Sequence, residues 1–126
     1  MKSFILLGSI NMALVVALGA FGAHGLEGKI SERMLQNWQT ATHYHMAHAL
    51  GLLLVGLLAA KLEANTSLLQ IGGWLLFAGI VLFSGSLYVM ALTNITKLGI
   101  ITPFGGVAFI VGWILVAVAT FKYITS

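Results

Sequence analysis

The chain contains no cysteine, one proline, three acidic and six basic residues in 126. Each scarcity excludes something. Without cysteine there are no disulfides and no thiolate metal sites. With 7% charged residues and 60% hydrophobic ones, against roughly 25% and 45–50% in a soluble domain, water cannot be the main solvent. A chain this short has too little interior to hide so much apolar surface. The net charge of +3 is scattered, whereas nucleic-acid binding needs a clustered basic face, so no nucleic-acid partner is expected. No glycine-rich nucleotide loop is present, which argues against a primary transporter.

What is present is apolar and long. A helix needs roughly 20 apolar residues to cross about 30 Å of hydrocarbon, and four stretches qualify: about 3–23, 44–60, 68–92 and 102–123. Backbone groups in lipid must pair within their own segment, so all four are expected to be helices. The fold class is therefore all-α: one integral membrane domain over 1–126, a bundle of four transmembrane helices with a polar, partly helical connector between helices 1 and 2. Lys2 followed by an apolar run resembles a signal peptide. The run is longer than a typical h-region, and it is expected to stay as a span. The setting is the lipid bilayer of a cell membrane, multi-pass, with both termini on one side. Lys2, Lys61 and Lys122 oppose Lys29, Arg33 and Lys97, so the positive-inside rule gives no orientation.

Within the connector Ser31 has the pattern of an N-cap, with Ile30 and Leu35 as its hydrophobic staple. Met34, Trp38, Ala41, His45, His48 and Leu52 then recur at helical spacing and share one face. Trp38 and Tyr44 are expected at the membrane interface, where amphipathic rings are comfortable. A continuous helix from Ser31 to Ala60 and a short surface helix followed by a kink both fit. Small residues line span one (Ser9, Ala13, Ala17, Ala20) and span four (Gly105, Ala108, Gly112). Such stripes serve either packing inside one bundle or a homo-oligomer interface.

The polar side chains converge. Following the chain through the membrane puts His24, His45, His48, Tyr88 and Thr102 in the same half of the bilayer. His45 and His48, three apart, share a face, while His43 points elsewhere, to headgroups or water. Ionisable groups in a membrane usually face an interior or a cavity. Three uses fit the cluster: a metal site, a proton relay or ligand pocket, or hydrogen bonds that only lock the bundle. No HExxH or comparable motif is present, and no metal or other cofactor is expected. Asn11, deep in span one, should bond to another helix. No acidic residue lies in any span to orient a histidine, so no catalytic triad can form and no enzyme is expected.

Four stretches together carry a family resemblance: "GAFGAHGL" (19–26), "WQTATHYHMAHALGLL" (38–53), "FSGSLYVMALT" (83–93) and "TPFGGVAFIVGW" (102–113). In order and spacing, over almost the whole chain, they resemble the UPF0382 membrane proteins, also described as domain of unknown function 423. The resemblance implies a four-helix membrane protein with no established activity. His24, Tyr44, His48, Ser84, Gly85, Tyr88, Pro103, Gly105, Gly106 and Trp113 fall on the family's pattern. His43 and His45 depart from it, which leaves His24 and His48 as the pair to expect in a site. The function expected is a non-enzymatic membrane protein whose His/Tyr cluster near one face binds a small ligand, proton or partner. The alternative is a structural or accessory subunit.

Overall fold

The computed structural model describes residues 2–62 and 67–125. Helix α1 (Lys2–Phe21) runs into a π-helical turn (Gly22–Leu26), and α2 (Glu32–Leu62) follows. Helix α3 (Ser67–Gly79) passes through a second π-helical segment (Ile80–Ser84) into α4 (Gly85–Thr93). A 3₁₀ turn (Thr96–Ile100) leads to α5 (Thr102–Thr125). Four of these runs are long and apolar enough to cross a membrane: Lys2–Leu26, Glu32–Leu62, Ser67–Thr93 and Thr96–Lys122. This is the architecture read from the sequence.

The helix ends follow local chemistry. Ser31 Oγ accepts the backbone N–H of Met34 (3.1 Å), the N-cap bond that relieves one orphan donor. Ile30 and Leu35 both pack on the neighbouring apolar cluster. From this cap α2 continues unbroken for 31 residues, about 46 Å at 1.5 Å per residue, which decides for the continuous helix. At the same end of the bundle, α4 stops at Asn94, whose left-handed φ of 59° is one that asparagine tolerates.

Helix α2 is the centre of the molecule. Its stripe Met34, Trp38, Ala41, His45, His48 and Leu52 is buried throughout, as the periodicity requires. Helix α1 packs along it and α5 packs along α3, and both leave most of their surface facing outward. Helices α1 and α2 run antiparallel in constant register: stepping back seven residues from Leu18 to Asn11 matches stepping forward seven from Trp38 to His45. Where backbones approach, glycine makes room. A Cβ on Gly105 would stand 2.3 Å from the backbone N of Phe83. On Gly72 and Gly112 it would meet the other's carbonyl oxygen at 3.0 Å. The span-four stripe therefore packs inside the bundle. The span-one stripe does not: Ser9, Ala13, Ala17 and Ala20 all face outward.

Two apolar clusters fill the interior. One gathers Phe4, Leu52, Val55, Leu69, Leu76, Ile80 and Phe109. The other gathers Leu26, Met34, Trp38, Ala41, Leu87 and Met90. On α2 the two histidines fall between them, and on the third span Ser84 does the same. A polar band thus crosses the middle of the bundle, with apolar layers above and below.

Candidate functional site

The band is built on His45, which is 2% exposed. Its Nδ1 lies 2.8 Å from Tyr88 Oη, and its Nε2 lies 2.8 Å from Asn11 Oδ1. The Asn11 amide nitrogen donates to the carbonyl of Leu7 at 2.8 Å. That carbonyl fixes which way the amide points, because a carbonyl oxygen cannot face another without a donor between them. Asn11 Oδ1 is then an acceptor, so His45 Nε2–H donates to it. A neutral His45 has a lone pair on Nδ1, and Tyr88 O–H donates there. One directed chain of hydrogen bonds therefore ties α4 to α2 and α2 to α1.

His48, a turn further along, makes a separate arrangement. Its Nδ1 is 2.8 Å from the carbonyl of Tyr44, and its Nε2 is 3.0 Å from Trp113 Nε1. The carbonyl only accepts and the indole only donates, so His48 is the neutral Nδ1–H tautomer. Phe109 stacks on its face with centroids 3.5 Å apart and 14° between planes. Glycines seat both aromatic partners: the Trp113 ring lies over Gly51, and the Phe109 ring over Gly79. His48 is thus held at two edges and one face, linking α2 to α5.

Three hydroxyl hydrogen bonds complete the band. Ser84 O–H donates to the Ala41 carbonyl at 2.8 Å. Ser86 O–H donates to the Phe83 carbonyl, so the 2.6 Å contact with Thr102 has Thr102 O–H as donor, since each hydroxyl carries one proton. Among the described residues no buried side-chain N or O atom lacks a partner.

Of the five residues expected in a site, the structure joins two directly, His45 and Tyr88. His48 lies next to them on α2 but bonds to Trp113. Thr102 bonds to Ser86. His24 stands apart, exposed in the π-helical turn after α1. Among the described residues no three His, Asp or Glu side chains converge as metal ligands do. The band is also deeper than the one-sided cluster read from the sequence, because Asn11 and Trp113 sit near the middle of their spans.

Trp38 corrects a further expectation. It is 2% exposed rather than interfacial, and its indole N–H donates to the carbonyl of Leu18 at 2.9 Å. The slot exists because Gly22 has no Cβ; one placed there would lie 2.4 Å from the ring. The polar residues around Trp38 made the stretch look like a surface. The α1 register shows instead that the first turns of α2 lie alongside the second half of α1. Trp113, the partner of His48, fell on the family's pattern, but nothing in the sequence joined it to His48. Its pairing spans 65 residues of sequence.

Four apolar spans around a saturated polar band define a polytopic helical membrane protein. Comparison with known proteins gives the family. The family described as "Protein of unknown function (DUF423)" matches residues 18–106. The UPF0382 membrane protein YwdK of Bacillus subtilis (strain 168) is 60% identical over 124 residues, covering 98% of this chain and all of the relative. The UPF0382 membrane protein SAB0533 of Staphylococcus aureus (strain bovine RF122 / ET3-1) is 53% identical over 123 residues, 98% of each chain. No solved structure matches. The chain belongs to the UPF0382 membrane protein family, in agreement with the resemblance seen in its motifs.

Proposed function

We propose that the chain is a non-enzymatic structural or accessory subunit of the cell membrane, whose polar band holds four helices in one arrangement. Saturation carries this reading. Both nitrogens of His45 and of His48, and the amide and hydroxyl of Asn11 and Tyr88, already have partners within the chain. A ligand at either imidazole would first have to displace Asn11, Tyr88, Trp113 or a backbone carbonyl. A proton relay meets the same obstacle, since the chain from Tyr88 ends at an amide and the carbonyl of Leu7. In lipid, where apolar side chains gain little by leaving one apolar medium for another, hydrogen bonds and close packing hold helices together.

Native mass spectrometry of the protein, gently released from its own membrane, tests the reading. The expected result is the same assembly, with nothing bound at the histidines, for the parent chain and for His45→Gln/His48→Gln. That variant should melt earlier in detergent, with no small molecule restoring it. A bound species present in the parent and in R33Q, but lost in the double histidine variant while its helicity is retained, would overturn the proposal and make the band a binding site.

A further inference from the structure

Next to the saturated band lies a cavity whose rim holds polar groups with little to bond. The cavity, of about 390 Å³, opens between the start of α2, the end of α4 and the first turn of α5. Its volume lies in the roughly 300–1,000 Å³ range of small-molecule sites. Its rim carries Arg33 and Asn37, and its wall Met34, Phe83, Leu87 and Met90. No carboxylate is among the residues that line it.

The rim is polar and unspent. Arg33 is exposed and has no ion-pair or hydrogen-bond partner among the described residues. Asn37 Nδ2 reaches only the sulfurs of Met34 and Met90, each at 3.6 Å, and thioethers are weak acceptors. Exchanging them for an anionic oxygen costs little. An Arg guanidinium offers a planar fork of donors suited to a carboxylate, and the charged bond is about twice as strong as a neutral one.

The wall is apolar and goes down. Met90, Leu87 and Phe83 succeed one another along α4 and into the π-helical segment, away from its end at Thr93. Seven residues separate Phe83 from Met90, so the wall descends about 10 Å at 1.5 Å per residue. Methionine adapts its shape to what it meets, and two of them stand where a cationic rim gives way to hydrocarbon-like lining. An anion-binding mouth over an apolar slot recognises one kind of molecule.

We propose that this cavity binds a single-chain amphiphile with a carboxylate head, an ionised long-chain fatty acid. Arg33 and Asn37 hold the head, and the acyl chain lies along Met34, Met90 and Leu87 towards Phe83. Two-chain lipids are too bulky for a slot near the lower end of the ligand-site range.

The test uses the full chain in a maltoside detergent with a diazirine-bearing palmitate as probe, the labelled peptides being located by mass spectrometry. Label is expected on the α2 segment 33–37 and on residues 83–90 of the third span, displaced by oleate and not by oleyl alcohol. R33Q should cut labelling about tenfold through loss of the charge-assisted contact, with melting unchanged because Arg33 is exposed and unpartnered. L87W, which fills the slot, should abolish labelling, while R33K should keep part of it. The proposal is overturned if label spreads evenly over the outward faces of α1 and α5, or if R33Q labels like the parent. Equal competition by oleyl alcohol would refute recognition of the anion. Stronger competition by dioleoylphosphatidylglycerol than by oleate would refute the single-chain ligand.

Discussion

Replacing His45 by leucine should do more damage than removing the whole hydrogen-bonded chain of which it is the centre. In H45L the Tyr88 hydroxyl loses its acceptor, and Asn11 Oδ1 loses its donor. Both groups lie inside the bundle, and Asn11 is only 7% exposed. An orphaned buried group costs about 1–3 kcal/mol, so two cost about 2–4 kcal/mol once partial relaxation is allowed. In the triple variant N11L/H45L/Y88F no orphan remains among the three side chains, and each new side chain is apolar and no longer than the one it replaces. Replacing every partner by apolar groups of similar shape is close to neutral, and in a membrane the three lost bonds are worth about 0.6 kcal/mol each on average. The triple variant should therefore recover a large part of the loss, ending less than about 2 kcal/mol below the parent. Reversible unfolding in mixed micelles of dodecyl maltoside and dodecyl sulfate, followed by tryptophan emission, measures all three proteins on one scale. If the triple variant is less stable than H45L by the sum of two further losses, orphaned polar groups are not what makes the single change costly, and the assignment of donors and acceptors fails with it.

Other consequences of the geometry are as direct. Nitrogen-15 spectra of histidine-labelled protein should show His48 as the neutral Nδ1–H tautomer, and W113F should shift its Nε2 resonance towards that of an unbonded nitrogen while costing about 0.6–1.7 kcal/mol. G105A should destabilise by about 1–3 kcal/mol, because the methyl meets backbone that cannot turn aside. G19A, with nothing within 4 Å of the new carbon, should change stability by less than about 0.5 kcal/mol; equal effects in the same unfolding assay would refute the close-approach argument. S31A should cost about 1 kcal/mol of cap energy, seen as faster amide exchange confined to the first turn of α2.

The sequence was most informative where one physical demand dominates. Lipid forces apolar helices, so the four spans follow from composition, and the 3.6-residue period put Met34, Trp38, Ala41, His45, His48 and Leu52 on one buried face. Pairings between helices were another matter. Nothing local to His48 announces Trp113, and Asn11 could have bonded to any neighbour. Small-residue stripes look alike whether they face a neighbour or the lipid: Gly105 touches Phe83, whereas Ala13 looks outward. Trp38 looked interfacial because hydropathy averages over a window, while its burial depends on the absence of one Cβ at Gly22. The π-helical segments leave no mark in the periodicity at all, although one of them delivers Ser84 to the Ala41 carbonyl.

The polar band also dictates how the protein can be made. When α2 enters the membrane behind α1, His45 already has Asn11 beside it, and Trp38 has Leu18. Tyr88 follows 43 residues after His45, and the indole that His48 needs follows 65 residues after it. The newborn hairpin of α1 and α2 thus carries an imidazole facing lipid or the insertion machinery until the last span arrives. A chain cut short before Trp113 would keep that hairpin, but His48 Nε2 would stay an acceptor without its donor.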